Sequence, residues 1–232
     1  MQSLMPILIC AAFVFVWISL MKWILALDRR LTKKSLWSSK RLDMKSTAAL
    51  LQLYFGGKIF LYGRWFPKRT PKGTVYEEIP CILIFGKRIF VLEICSLPGV
   101  IRNTGEELWT VTPPAEYIGK KEIRIKNPVL LAGRRAELLK ALLDAVGYAD
   151  GVSVESLAIL TSKEHRCVNE SMQGLYTVKG ALEYLSHYAP KNKRDRRRMK
   201  STNTIFFEIF NRYSVSRKGA AAKNNKKLPK KK

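Results

Sequence analysis

Residues 79–95 read IPCILIFGKRIFVLEIC, two apolar runs separated by a Gly-Lys pair. The first run extends back to Val75, so the two segments are Val75–Phe85 and Arg88–Cys95. Both are rich in branched and aromatic residues, which favour strands, and a two-residue connection that contains glycine is typical of a β-hairpin. The stretch therefore predicts two adjacent antiparallel strands.

The segments around this hairpin predict further short elements. Upstream, we expect a helix over Ser46–Phe55 and a strand over Lys58–Phe66 that stops at Pro67. Downstream, short strands are expected at Val100-Ile101 and Leu108–Val111. The hairpin therefore lies inside a larger sheet.

A strand, a helix and a strand complete the predicted domain. Asn127-Pro128 has the form of a helix N-cap followed by proline at the first helical position, and it opens an amphipathic helix, Val129–Val146. An apolar strand is expected over Val154–Leu160 and a second helix over Thr177–Tyr188. Because a strand, a long helix and a strand in succession imply a crossover and a parallel pair, residues 46–189 predict an α/β domain whose central mixed sheet is flanked by helices.

The net charge of +24 is concentrated outside this domain. Residues 22–46 contain eight Lys or Arg and two acidic residues, a net charge of +6. Residues 47–189 contain eighteen basic and fourteen acidic residues (+4), and residues 190–232 contain sixteen basic and two acidic residues (+14). We expect the basic C-terminal segment, residues 190–232, to bind a polyanion, either nucleic acid or anionic lipid, and to be disordered from about residue 219. The predicted polyanion-binding residues are Lys191, Lys193, Arg194, Arg196, Arg197, Arg198, Lys200, Lys226, Lys227, Lys230, Lys231 and Lys232.

The N-terminal segment predicts a membrane anchor. Leu4 to Met21 are eighteen uncharged, mostly apolar residues, and as a helix they would extend over roughly 27 Å. Residues 1–27 are therefore expected to be a transmembrane helix, and residues 28–45 a basic juxtamembrane linker. Because the basic residues follow the helix and none precedes it, the N-terminus is expected outside and the domain in the cytoplasm. The alternative is a buried helix of a soluble protein.

The four cysteines give no indication of a metal or redox site. Cys10, Cys81, Cys95 and Cys167 form no CxxC pair, so zinc or thioredoxin-like chemistry is not predicted. We expect reduced thiols that pack as small apolar side chains.

The stretch from Ile79 to Leu143 resembles the nuclease-related domain family, NERD, a branch of the PD-(D/E)XK nuclease superfamily. The resemblance rests on the two hairpin strands, on Pro98-Gly99 and Trp109, and on Asn127-Pro128 at the start of a helix. The later apolar strand and closing helix extend it to roughly residues 46–188. It implies a restriction-endonuclease-like fold and, for the superfamily, cleavage of phosphodiesters with Mg²⁺ held by strand carboxylates.

The family positions that carry this chemistry are only partly retained. By the resemblance, Pro80 stands where the metal-binding Asp is expected, Cys95 where a Lys is expected and Leu131 where a Gln is expected, and only Glu93 matches. Glu78 lies two residues before Pro80, so it would point to the same face of an extended strand and could share a metal ion with Glu93. The alternatives are that Glu78 is a solvated charge at the strand entry and that Glu93 pairs with Arg88 or Lys87.

Three functions follow as hypotheses. The first is a membrane-anchored NERD-like protein without nuclease activity or cofactor, whose basic flanks bind nucleic acid or another polyanion. The second is a divergent nuclease that uses Glu93 and Glu78 with Mg²⁺. The third is a scaffold bound to anionic lipids of the inner leaflet, in which Ile205–Phe210 either inserts at the interface or belongs to the core. Under the first hypothesis, Glu93 is expected to be solvated or paired with a basic side chain.

Overall fold

The computed structural model describes residues 17–19, 21–22, 43–55, 60–71, 73–102, 107–114, 122–162, 165–167 and 174–225. The chain forms two compact units, Met1–Ser39 and Lys40–Lys232. In the first unit only residues 17–19 and 21–22 are described, and they are helical. Most of the predicted anchor, residues 1–27, and nearly all of the linker, residues 28–45, therefore lie outside the described residues. No helix within the described ranges has both the length and the apolar character needed to cross a membrane.

The second unit contains the α/β domain. Its helices are α1 (Met44–Phe55), α2 (Pro128–Ala145), α3 (Val178–Ser186), α4 (Lys193–Tyr213) and α5 (Arg217–Asn225). Its strands are β1 (Phe60–Thr70), β2 (Gly73–Phe85), β3 (Arg88–Cys95), β4 (Gly99–Arg102), β5 (Leu108–Thr112), β6 (Ile123–Lys126), β7 (Ser153–Leu160), β8 (His165–Cys167) and β9 (Leu175–Thr177). Five strands form one sheet in the order β1-β2-β3-β7-β9, and four form a second in the order β6-β5-β4-β8.

The predicted hairpin is confirmed. Strands β2 and β3 pair antiparallel from Cys81 opposite Leu92 to Phe85 opposite Arg88, around the turn at Gly86. Gly86 has a φ of +62°, a left-handed conformation that glycine adopts without a β-carbon penalty. Ile82 and Ile84 of β2 pair with Val91 and Ile89 of β3, and all four side chains are buried in one core cluster.

The predicted crossover is also confirmed. After β3 the chain forms β4, β5 and β6 of the second sheet and then α2. Strand β7 follows α2 and pairs parallel to β3. Asn127 caps α2, since its side chain accepts hydrogen bonds from the backbone N–H groups of Val129 and Leu130, and Pro128 is the first residue of the helix. The five-stranded sheet is therefore mixed, as expected.

Helices cover both faces of this sheet. Leu139 and Leu143 of α2, together with Phe210 of α4, pack on the face that carries Ile89 and Val91. On the opposite face, Phe90 contacts Tyr184 of α3, and Phe85 contacts Phe55 of α1, with a ring-centroid distance of 5.3 Å in the latter pair. The sheet is therefore the central layer of the domain.

Strand β1 continues beyond the point at which we expected it to end. It runs through Pro67, which pairs with Tyr76, and stops at Thr70. The prediction of an end at Pro67 is therefore wrong. Proline is tolerated there because β1 is the outermost strand of the sheet and proline needs no donor on the open side.

The second sheet was predicted only in part. Strands β4 and β5 match the expected short strands, whereas β6 and β8 were not predicted, and neither was β9 of the five-stranded sheet. These three strands have three or four residues each, too few for a periodic pattern to distinguish them from loops.

The C-terminal segment is helical and part of the domain. Phe206, Ile209 and Phe210 of α4 are buried in the core, so the domain does not end at residue 189, and interfacial insertion of Ile205–Phe210 is not what the structure shows. Helix α5 continues to Asn225, past the residue from which disorder was expected. Lys226, Lys227, Lys230, Lys231 and Lys232 lie outside the described residues.

Candidate active site

The candidate active site is at the end of the hairpin farthest from its turn. The last paired residues of β2 and β3 are Cys81 and Leu92, so Pro80 and Glu93 are the next residue on each strand. The positions that the resemblance assigns to an Asp and a Glu are therefore neighbours across the two strands. Because Glu93 alternates with Val91 and Ile89, it faces the side of the sheet covered by α2.

Glu93 is bound by an arginine of that helix. Nη1 of Arg135 donates a hydrogen bond to Oε2 of Glu93, and the two side chains form an ion pair. The Arg135 side chain is 15% exposed and the Glu93 side chain 16% exposed, so the pair is largely shielded from water. The expected pairing with a basic residue is confirmed, but the partner is Arg135, whereas Arg88 pairs with Glu155 and Lys87 donates to the Asp150 carbonyl.

The cap at Asn127 places Arg135 over the sheet. Starting from this cap, Leu131 and Arg135 are one helical turn apart and share a face of α2. Ala132 and Ala136, both buried, bring the helix close to the strands, because alanine leaves little side chain between the two backbones. The guanidinium therefore reaches Glu93, while Leu131 is half-buried beside it.

The charges of two further carboxylates affect the pKa of Arg135. Burial lowers the pKa of Arg135, and the negative charges of Glu77 and Glu78 partly oppose that shift. Glu77 also forms an ion pair of 2.8 Å with Lys68 of β1. The charges of Glu77 and Glu78 thus favour the protonated form of Arg135, in addition to its ion pair with Glu93.

Glu93 and Glu78 interact with Arg135 in different ways. Glu93 binds the guanidinium directly, whereas Glu78 acts on it through its charge. The Glu78 carboxylate lies against β1, because a β-carbon placed on Gly63 would be 3.9 Å from its Oε1. Within the described residues no group of three His, Cys, Asp or Glu side chains is placed to hold a metal ion.

Cys95 supplies no cation at the position where a lysine is expected. Its side chain is half-buried and packs against the core of the second sheet, which contains Trp109 and Leu160. Its carbonyl accepts the backbone N–H of Thr161 at 3.0 Å. The surroundings of the thiol are therefore mainly apolar, and Arg135 is the cation bound to Glu93.

The predicted basic residues that the structure describes lie on one segment. Residues 191–198 are all exposed, and Lys200 is exposed as well. The consecutive positions from Lys193 to Arg198 cover more than one helical turn, so no side of α4 is packed against the domain there. We call residues 191–200 the basic segment.

The basic segment and Glu93 lie at opposite ends of the hairpin. Asn203 of α4 accepts a hydrogen bond of 2.7 Å from the backbone N–H of Gly86, at the turn. Further along α4, Phe210 contacts Phe66, which pairs with Glu77. The helix therefore runs from the turn towards the active-site end, and the residues before Asn203 extend beyond the turn, about 20 Å along the strands from Glu93.

A mixed sheet flanked by helices, with a strand carboxylate beneath the crossover helix, is an α/β arrangement consistent with a nuclease-like fold. The family model of the nuclease-related domain, NERD, matches residues 43–161, just over half of the 232-residue chain. The chain therefore belongs to the nuclease-related domain family. No curated protein and no solved structure matches it significantly.

Sequence reasoning missed Arg135. In the sequence it is the second of two adjacent arginines on an amphipathic helix, where charged residues usually face water. One signal was available, since Arg135 lies one turn after Leu131, which the family pattern already placed towards the site. The adjacent Arg134 faces solvent and pairs with Glu107. The Arg134 side chain is 51% exposed and the Glu107 side chain 71% exposed.

Proposed function

We propose that this chain is a membrane-anchored NERD-domain protein that lacks nuclease activity and binds a phosphate-bearing polyanion through its basic segment. The observation that carries the inactive assignment is the ion pair between Arg135 and Glu93. It occupies the one carboxylate that matches the family pattern.

The ion pair opposes metal binding for a physical reason. Mg²⁺ prefers several hard oxygen ligands, and a site with one free carboxylate relies on substrate phosphates to complete its coordination. To bind Mg²⁺, Glu93 would have to leave Arg135, and the guanidinium would remain largely buried beside the incoming cation. Pro80 has no side-chain ligand to add, and the Cys95 thiol is a poor ligand for Mg²⁺.

Polyanion binding is supported by the basic segment. Eight consecutive residues of this segment, 191–198, are exposed, and Asp195 is the one acidic residue among them. Lys and Arg side chains that project on all sides of a helix can contact successive phosphates without reading a sequence. Because the segment lies at the far end of the hairpin from Glu93, binding there does not require a working catalytic centre.

The membrane anchor belongs to the same proposal and rests on the sequence of residues 4–21 and the basic residues that follow it. An anchored domain with a basic segment can bind either nucleic acid or the anionic lipids of the inner leaflet, since both present phosphate groups. The two sources are separated by experiment.

The alternative function is a divergent nuclease that uses Glu93 and Glu78. It is favoured by one observation, that both carboxylates interact with Arg135, Glu93 through the ion pair and Glu78 through its charge. In that case Mg²⁺ would take the position of the guanidinium and supply the Lewis acid for phosphodiester cleavage.

Nuclease activity is tested with the full-length chain, purified in mild detergent and incubated with plasmid DNA and Mg²⁺ or Mn²⁺. We expect no cleavage by the parent. We also expect none from the variant that restores the family pattern, Pro80→Asp, Cys95→Lys and Leu131→Gln together, until Arg135→Ala is added. Cleavage by the parent that Glu93→Ala abolishes would establish the alternative function.

Polyanion binding is tested by fluorescence anisotropy with labelled duplex DNA and by sedimentation with phosphatidylserine vesicles, each over a range of salt concentrations. Changing Arg194, Arg196, Arg197 and Arg198 to Gln is expected to weaken binding and, for duplex DNA, to reduce the slope of log affinity against log salt by up to roughly 4. The matched control removes the same charge from four exposed residues elsewhere, Lys45, Arg124, Lys126 and Lys140. Equal losses in both variants would show that net charge, and not the basic segment, determines binding.

A further inference from the structure

A group of aromatic side chains lies on the sheet face opposite Glu93. Phe90 of β3 contacts Tyr184 and Tyr188, with ring-centroid distances of 6.3 and 5.4 Å. Tyr184 in turn contacts Tyr176, at 5.2 Å. The three tyrosines are half-buried, so part of each residue reaches solvent.

An arginine lies over one of these rings and is held in place. The guanidinium carbon of Arg88 is 4.6 Å from the centroid of the Tyr188 ring. Nη1 of Arg88 also binds Oε1 of Glu155 at 3.1 Å, and Oε2 of Glu155 accepts the Tyr184 hydroxyl at 2.8 Å. These contacts fix the guanidinium on the aromatic group, while the Arg88 side chain remains 50% exposed. We call Arg88 and Tyr188 the stacking pair.

The stacking pair lies next to the basic segment. Tyr188 precedes Lys191 by three residues, and Arg88 is two residues from Gly86, the turn residue that binds Asn203 of α4. A β-carbon on Gly86 would also lie 3.7 Å from the Met199 side chain. Both ends of the basic segment are thus close to the stacking pair. Its first residue follows Tyr188 in the chain, and the helix just after its last residue is bonded to the β2–β3 turn.

We propose that the stacking pair binds a base of a single-stranded nucleic acid whose phosphates lie along the basic segment. This inference rests on the proposed polyanion binding and names its ligand. Single-stranded nucleic acid is bound by the combination found here, a cationic track beside aromatic or guanidinium planes on which bases stack. A duplex keeps its bases stacked on each other, and anionic lipid head groups have no aromatic ring, so neither would use the stacking pair.

The test compares labelled oligomers that carry equal charge but differ in their bases. The full-length chain in mild detergent is titrated with a thymidine oligomer and with an abasic oligomer, both of roughly 20 nucleotides, enough to cover the site of a typical single-strand binding surface. We expect the thymidine oligomer to bind at least about fivefold more tightly, since each stacked base commonly contributes that much or more. A matched duplex and phosphatidylserine vesicles complete the comparison.

The variants separate stacking from structural roles. Tyr188→Leu and Arg88→Ala are each expected to bring the ratio of the two affinities close to one, whereas Tyr188→Phe keeps the ring and should keep the ratio. Arg88→Ala gives the test independently if Tyr188→Leu does not fold, because the Arg88 side chain is half exposed. Tyr213→Leu, at the other end of α4 and 38% exposed, is the control and should change nothing.

Three results would overturn the inference, and they differ in whether the proposed polyanion binding still holds. If the parent binds the abasic and thymidine oligomers equally and loses affinity with salt, base stacking is wrong and polyanion binding stands. If the chain binds phosphatidylserine vesicles or duplex DNA but neither oligomer, the ligand assigned to the stacking pair is wrong. If it binds none of the four probes, the proposed function and the inference both fail.

Discussion

The backbone N–H of Gly86 donates a hydrogen bond of 2.7 Å to Oδ1 of Asn203, a residue 117 positions later in the chain. Asn203 is buried, and the bond fastens α4 to the turn between β2 and β3. It fixes where α4 joins the domain, and therefore where the basic segment ends. Because a buried amide requires a partner, this bond is also expected to contribute to stability.

Replacement of Asn203 by leucine should destabilise the domain by roughly 1–3 kcal/mol, because the Gly86 amide would stay buried without an acceptor. Chemical denaturation of the full-length chain measures the change in the free energy of unfolding. Asn203→Asp keeps an acceptor oxygen and should cost less, and Ser201→Ala, at an exposed position of the same helix, should have almost no effect. Equal effects of Asn203→Leu and Asn203→Asp would contradict a role for the bond.

Replacing one partner of the Arg135–Glu93 pair should lower the free energy of unfolding strongly. Replacing both partners should lower it much less. Arg135→Leu leaves Glu93 largely buried without a counter-charge, for which we expect a loss of about 3 kcal/mol in the free energy of unfolding. A double-mutant cycle with Glu93→Leu should give a favourable coupling energy of more than about 1 kcal/mol. The adjacent pair of Arg134 and Glu107 is exposed, so its cycle is the control and should give a coupling energy below about 1 kcal/mol.

The fold was predictable from the sequence where the signals are local. The hairpin follows from two apolar runs around Gly86, and α2 follows from the cap at Asn127, so both were placed to within a few residues. Helix α4 was missed because its composition is dominated by charge. Its buried residues Asn203, Phe206 and Phe210 recur at helical spacing, and that stripe was a readable signal for a core helix.

The candidate site was predictable only as a set of positions. The resemblance placed Glu93 and Pro80 on neighbouring strands, and the register agrees with this. That Arg135 binds Glu93 depends on the distance and rotation between α2 and the sheet, which packing of Ala132 and Ala136 determines. No periodicity in the sequence specifies such a contact between elements 42 residues apart.

The proposed membrane anchor predicts an orientation of the chain that follows the charges flanking residues 4–21. A tag added at the C-terminus should be accessible in the cytoplasm and a tag at Met1 should be accessible from outside, because the basic residues of positions 22–46 favour the inner side. Protease protection in vesicles of known orientation measures both. Exchange of Arg29, Arg30, Lys33 and Lys34 for Gln should weaken the preference, and the reverse accessibility in the parent would contradict it.

The start of α1 should show a pH-dependent contribution to stability. The backbone N–H of Ser46 donates to Oδ1 of Asp43 at 2.7 Å, and this bond is the main cause of a lowered pKa at Asp43. A carboxyl whose pKa is lowered by folding stabilises the folded state above its ordinary pKa and loses that effect as the pH falls through the folded value. Asp43→Ala should therefore cost about 1 kcal/mol at neutral pH and progressively less below about pH 4. A cost that stays constant down to pH 2 would contradict the role of the charge.

Cys81 should resist alkylation for as long as the domain is folded. Its side chain is fully buried in β2, and burial raises the pKa of the thiol because the thiolate would lie in an apolar core. A thiol whose pKa is raised by folding favours the folded state below its ordinary pKa, and that contribution is lost as the pH rises towards the folded value. Iodoacetamide at about pH 8.5, followed by mass spectrometry of the peptides, should modify half-buried Cys95 before Cys81, and Cys81 only in denaturant. Cys95→Ser should leave Cys81 protected, and modification of Cys81 at the rate of Cys95 in the folded chain would show that β2 opens in the native state.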